Sequence, residues 1–88
     1  MSNKQLVKVL KAIGNERRLA ILKYLNRNRE LSVNQLSKLI DLSFRSVSKH
    51  LSVLSGAGLV EARQSSLNRF YFISKEFPKE FAGFIKNI

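Results

Sequence analysis

No cysteine and no tryptophan occur among these 88 residues, and there is one histidine, His50, and one proline, Pro78. Without cysteine there is no disulfide framework, no thiolate metal site and no cysteine nucleophile. One histidine excludes a multi-histidine zinc site, and the six carboxylates (Glu16, Glu30, Asp41, Glu61, Glu76 and Glu80) never fall as DxD or ExxE. No nucleophile, base and orienting group can be assembled from that set, so the chain reads as a non-enzyme with no metal and no cofactor. Apolar runs are only a few residues long, against the roughly 20 needed to cross a bilayer, and the N-terminus lacks a secretory apolar core. The expectation is a soluble, cytoplasmic protein with no membrane partner.

What the chain has in excess is positive charge. Sixteen Lys and Arg against six Asp and Glu give +10, on a sequence that is 44% hydrophobic. That apolar fraction is too high for a disordered basic tail, and the charge is far from zero, which together point to a folded module that meets a polyanion. Nucleic acid is the first candidate. The length holds one domain, spanning 1–88, whose small core would gain from a partner subunit. Residues 1–30 carry +6, residues 31–74 carry +3 and residues 75–88 carry +1.

Leu6, Val9, Leu10 and Ile13 recur at helical spacing opposite Lys4, Lys8 and Lys11, which predicts a helix over 3–13 with Ser2 and Gln5 as its capping box. Gly14 ends it, Asn15 caps a second helix running to Leu25 or Asn26, and Asn26 to Glu30 reads as a polar loop. Ser32 as N-cap, Gln35 closing a capping box and Leu31 with Leu36 as a hydrophobic staple start a third helix. It ends at Asp41-Leu42, and Ser43 at once caps a fourth helix, Phe44 to Ser55. A connection of about three residues forces a sharp turn between the two. Leu59–Arg63 and Arg69–Ile73 read as a hairpin with a polar tip at Gln64–Asn68, where Asn68 is expected to take the left-handed conformation. Phe77, Phe81, Phe84, Ile85 and Ile88 then share one face of a terminal helix over 78–88.

The resulting fold is mainly α with a small β-hairpin, α-α-α-α-β-β-α, the order of a winged helix-turn-helix domain. Its helix-turn-helix spans about 32–55 and its wing about 59–73. On the fourth helix Val47, Leu51 and Leu54 fall in one sector and must face the core, leaving Arg45, Lys49 and Ser52 outward. Arg45, near the end that enters the major groove first, is the residue expected to read a base, with Ser46 and Lys49 next. A merely solvated helix face is the alternative. Phe44 lies on the core side by angle and is assigned chiefly to packing, with projection past the helix end from its first helical position as the alternative; His50, at the border with solvent, is assigned to packing or a phosphate contact. Arg63, Gln64, Ser65, Asn68 and Arg69 gather at the wing, where paired arginines suit phosphate contact; a solvated tip is the alternative.

Ile13-Gly14-Asn15-Glu16-Arg17-Arg18-Leu19-Ala20-Ile21-Leu22, Glu30-Leu31-Ser32-Val33-Asn34-Gln35-Leu36, Leu42-Ser43-Phe44-Arg45-Ser46-Val47-Ser48-Lys49-His50-Leu51 and Ala57-Gly58-Leu59-Val60 resemble, in order and spacing, the signature stretches of the ArsR/SmtB family of repressors. The resemblance implies a homodimer on double-stranded DNA with base contacts at Phe44, Arg45 and Lys49; Ser46, Ser48 and His50 are the further candidates on the same helix. Relatives often carry glutamine where this chain has Phe44, a departure that removes the basis for the usual adenine-type contact and allows a thymine-methyl contact instead. The resemblance further implies that the first and last helices form the dimer interface, here Leu6, Leu10, Phe77, Phe81, Phe84 and Ile85. Packing within one chain is the alternative use of that stripe. Metal-sensing relatives place Cys-x-Cys in the third helix, where this chain has Ser32 and Asn34, or histidines on the last helix, where it has none. Sensing through those sites is therefore not expected, and no inducer is indicated. Two further functions stand beside the operator-binding repressor: a basic DNA-coating protein that ignores sequence, and a winged helix that meets protein instead of DNA.

Overall fold

The computed structural model describes residues 1–88. The chain opens with α1 (Asn3–Ile13), held at its start by a reciprocal pair: the Gln5 amide donates to Ser2 Oγ at 3.1 Å and the Ser2 amide to Gln5 Oε1 at 3.2 Å. Asn15 then accepts from the amides of Arg17 and Arg18, both at 3.0 Å, and starts α2 (Glu16–Arg27). This helix runs slightly past its expected end. Asn28 closes it by donating its own amide and its Nδ2 to the Tyr24 carbonyl, so Asn26 and Arg27 ride on the exposed side of the last turn instead of in a loop.

Leu31 and Ser32 form a short strand, β1, before α3 (Val33–Ile40), and a three-residue turn leads to α4 (Phe44–Gly56). Asp41 sits in that turn at φ 59°, a left-handed conformation that Asp tolerates better than most non-glycine residues. The Leu42 amide reaches back to the Ser37 carbonyl at 3.1 Å, the six-to-one bond of a Schellman ending, and Ser37 Oγ donates to the Leu42 carbonyl. The angle between α3 and α4 is thus fixed by backbone geometry and not by packing alone.

β2 (Val60–Ser65) and β3 (Asn68–Ile73) form the hairpin, and β1 pairs with the other edge of β3, giving a three-stranded antiparallel sheet in the order β1-β3-β2. The hairpin expected from sequence is there, and the third strand is an addition to it. Two residues are too few to show alternation, and Leu31 is legible in the sequence only as a helix staple. The tip is also tighter than expected. Ser65 pairs with Asn68, so the loop is Ser66-Leu67, and Ser66, not Asn68, takes the left-handed conformation at φ 55°. Asn68 is held extended by the ladder.

The C-terminal segment departs most from its expected form. In place of one helix over 78–88 there is a 3₁₀ turn at Lys79–Phe81 and a short helix, α5 (Ala82–Asn87). Neither has a side-chain N-cap, and Gly83 lowers the helix propensity of α5. The shorter segment folds back so that Phe77, Phe81, Phe84 and Ile88 lie against the chain's own core. That core joins thirteen buried side chains, with Ile21, Leu22, Leu36, Leu51, Leu54, Leu59 and Val47 fully enclosed. Leucines of α2, α3 and α4 share that core with Leu59, Val60, Tyr71 and Ile73 of the hairpin region, which ties α4 to the base of the hairpin.

Candidate nucleic-acid interface

Val47, Leu51 and Leu54 anchor α4 in the core, as the angular spacing requires, and Arg45, Lys49 and Ser52 project into solvent. Ser43 caps the helix by accepting the Ser46 amide at 3.1 Å, and its hydroxyl donates to Ser46 Oγ at 3.0 Å. Ser46 and Ser48 are consequently half-buried beside the exposed cations. α4 has no acidic residue in its first turn and its start is exposed, so the positive end of its dipole faces solvent without a carboxylate, whereas the start of α3 is buried against the sheet and closed by its capping box. An exposed helix start of this kind can receive a phosphate oxygen.

Phe44 corrects the packing assignment. It is 55% exposed, because the first residue of the helix projects beyond the three-residue turn and clears the core that its angular position faces. An exposed aromatic ring beside Arg45 is an apolar surface able to meet a thymine methyl group.

His50 is tied into the scaffold by Arg18, a residue to which the sequence pattern assigns no role. Arg18 donates Nε to the Ala12 carbonyl at 2.7 Å and Nη2 to the Lys11 carbonyl at 3.2 Å, closing the end of α1, while its Nη1 lies 3.2 Å from His50 Nδ1. A guanidinium has no acceptor, so Nδ1 must accept and the ring proton sits on Nε2. Partial burial, then the charges of Arg18 and Arg17, hold the imidazole below its ordinary pKa. His50 is therefore neutral near pH 7, with one donor left. The 32-residue separation of this pair leaves no trace in periodicity or spacing.

The wing divides its two arginines. Cross-strand partners share a face of the ribbon and successive residues alternate, so Arg63, opposite Phe70, and Arg69, opposite Gln64, emerge on opposite sides. Arg63 stacks on Phe70, with 5.0 Å from guanidinium carbon to ring centroid. It also grips Glu30 with Nε at 2.9 Å and Nη2 at 2.5 Å. The guanidinium holds the Glu30 carboxyl below the usual carboxylate range. Arg69 donates Nε to Tyr71 Oη at 3.1 Å, lies over that ring, and has no carboxylate partner. Gln64 Nε2 donates to the Ser66 carbonyl at 3.2 Å and braces the tip, which Ser65 and Asn68 flank. The structure thus pairs Gln64 with Arg69 on one face of the wing, places Ser65 with Asn68 on the face that Arg63 shares, and engages Arg63 with Glu30. Leu67, 95% exposed at the apex, is a further member of this group; an apolar residue inside a polar tip is the sequence signal that marks it.

The interface residues of the expected dimer are spread over two elements. Leu10 is 51% and Val7 48% exposed on α1, Leu6 is half-buried, and Val9 belongs to the core. Phe77, Phe81, Phe84 and Ile85 are half-buried.

Comparison with known proteins gives a consistent result. The family described as "Bacterial regulatory protein, arsR family" matches residues 15–62, more than half of the chain. The transcriptional activator HlyU of Vibrio cholerae is 47% identical over 68 residues, covering 77% of this chain and 62% of HlyU, so the match spans less than two thirds of that relative. A solved structure of V. cholerae HlyU superposes with a TM-score of 0.82 at 40% identity, covering 98% of this chain and 91% of that one. The homodimeric winged helix-turn-helix DNA-binding domain of Mb0332 from Mycobacterium bovis, a possible ArsR-family regulator, gives a TM-score of 0.82 at 29% identity, over 98% and 82% of the two chains.

Proposed function

The chain belongs to the bacterial ArsR family of DNA-binding transcription regulators, and from that premise we propose that it acts as a homodimer on a pseudo-palindromic operator and represses by occupying DNA that polymerase needs. The observation that carries this reading is α4: a helix locked by Val47, Leu51 and Leu54 that offers Phe44, Arg45 and Lys49 outward from an uncompensated N-terminus. Arg45 donates to a guanine edge in the major groove, Phe44 packs on a neighbouring thymine methyl, and Lys49 with the His50 Nε2 proton meets the flanking backbone. Arg69 with Gln64 grips phosphate from one face of the wing, and Ser65 with Asn68 meets the backbone from the other.

Two copies are joined through Leu6 and Leu10 of α1 and through Phe77, Phe81, Phe84 and Ile85. The half-exposed apolar side chains of α1 support this assignment, as does the homodimeric state of the Mb0332 domain. A two-fold axis between the protomers sets half-sites about one helical turn apart. Regulation does not run through the family's cysteine site: Ser32 stands there, and its hydroxyl is committed to the Gln35 amide at 3.1 Å.

Selection of binders from random duplexes tests operator, symmetry and spacing at once. An inverted repeat with half-sites spaced by one turn is the expected product. Recovery of no consensus, with affinity set only by salt and length, would replace the repressor with a sequence-indifferent coating protein.

A further inference from the structure

A cleft of about 450 Å³ opens between the end of α2, the segment leading to β1 and the outer base of the hairpin. Arg27, Arg29, Arg63 and Lys75 line it against a single carboxylate, Glu30, and Phe72 forms part of its apolar wall. The side chains of Arg29 and Lys75 make no hydrogen bond or ion pair, and Arg27 makes only a 3.5 Å contact to the Ile88 carbonyl. Three cations, two of them with no side-chain hydrogen bond, thus line one cleft together with an aromatic ring, which is the chemistry of an anion site. We infer that this cleft binds a compact organic phosphate of about nucleoside monophosphate size, its phosphate on Arg29, Lys75 and Arg27 and its ring against Phe72.

The volume lies in the range of small-molecule sites. Arginine suits a phosphate because its planar fork donates to two oxygens at once, and lysine adds a mobile point charge. The same chemistry could come from the DNA backbone, but the position in the fold favours a free ligand. Ile73 lies five strand positions from Asn68, roughly 17 Å along the ribbon, so the cleft is at the end of the wing away from its tip. Glu30 completes the device. In the free protein it neutralises Arg63, which sits on β2, and a phosphate seated on Arg29, Lys75 and Arg27 brings a second anion into the same cleft to compete for that guanidinium. Ligand binding and the set of the wing are thereby coupled through one ion pair. The binding site stands apart from the operator reading, and only the coupling rests on it.

The test is a titration of the ¹⁵N-labelled full chain with adenosine 5′-monophosphate, inorganic phosphate, adenosine and a random duplex. The nucleotide is expected to give saturable shifts confined to the amides of residues 27–30 and 72–75. Inorganic phosphate should move the same amides about tenfold more weakly, since it lacks the ring contact. The double variant Arg29→Ala, Lys75→Ala should lose the nucleotide by about tenfold or more with its thermal unfolding unchanged. Glu30→Gln, which removes the competitor, should bind the nucleotide more tightly. Shifts that persist in the double variant, or adenosine binding as well as the nucleotide, would overturn the proposal. So would a double variant that loses random-duplex affinity as steeply as nucleotide affinity, because the cleft would then be a backbone contact.

Discussion

Arg45→Ala separates a base reader from a solvated charge. Arg45 makes no hydrogen bond or ion pair within the chain and its side chain is exposed, so truncation should leave stability within about 0.5 kcal/mol. A bidentate arginine-guanine contact discriminates by about 1–3 kcal/mol, and a two-fold symmetric dimer makes it twice, for a total of about 2–6 kcal/mol. At about 1.4 kcal/mol per decade, operator affinity falls by roughly thirtyfold at the least and about twenty-thousandfold at the most. Affinity for a random duplex should change only a few-fold, because nothing is removed there except the attraction of one charge per protomer. Fluorescence anisotropy on the selected operator and on a scrambled duplex, each across a salt series, gives both numbers. Equal losses on the two duplexes, with the salt slope reduced by the same amount on each, would show Arg45 to be a phosphate contact and defeat the base-reading assignment.

Arg69→Ala should behave in the opposite way, weakening operator and random duplex alike and reducing the salt slope by about 0.9 for each phosphate it no longer neutralises, as read in the same anisotropy series. Leu10→Glu places a charge on an exposed apolar position of α1 and should convert a dimer to a folded monomer, seen by light scattering with circular dichroism unchanged; a dimer that persists would move the interface away from α1. His50 gives a pH signature. Its pKa is lowered on folding, so the unfolded chain binds the extra proton first, and the stability it contributes is present above about pH 6.5 and lost as pH falls through the folded value. Urea denaturation at about pH 7 and about pH 5.5 should show this loss, and His50→Gln should remove it.

The elements legible from sequence are those whose signals are local. Ser2 with Gln5 and Ser32 with Gln35 form the expected capping boxes, Asn15 and Ser43 the expected caps, and the spacing of Val47, Leu51 and Leu54 identifies the inner side of α4. The features that escape a reading of the sequence depend on contacts distant in the chain or on the exact end of an element. The pairing of Leu31 with Tyr71 needs the partner strand to exist before it means anything, and Glu30 with Arg63 needs both that strand and its register. Phe44 takes the exposed alternative and not the packed one, because angular position on a helix predicts burial only where a neighbouring turn covers the residue. The terminal helix is shorter than its apolar stripe implies, because such a stripe at helical spacing also suits a 3₁₀ turn and a short helix folding onto the same core.

The distribution of charge sets what this protein must achieve to be specific. Sixteen cations face six carboxylates, and only two ion pairs form, one of them between the terminal amine and Glu80. Nearly all the lysines and arginines are therefore available to any polyanion, and each phosphate neutralised adds affinity without sequence information. Specific binding must rise above that background through few groups. Arg45 and Phe44 are the exposed side chains on the outer end of α4 with the chemistry to distinguish bases, and both depend on Ser43 and the Asp41 turn for their direction. Two features of the fold restrain the background: Arg63 is withdrawn from the wing's grip by Glu30, and Arg18 is spent on closing α1 and orienting His50. Releasing Arg63 with Glu30→Gln should accordingly raise random-duplex affinity more than operator affinity and narrow the ratio between them. A ratio that widened would mean that Arg63, once free, makes a contact only the operator provides.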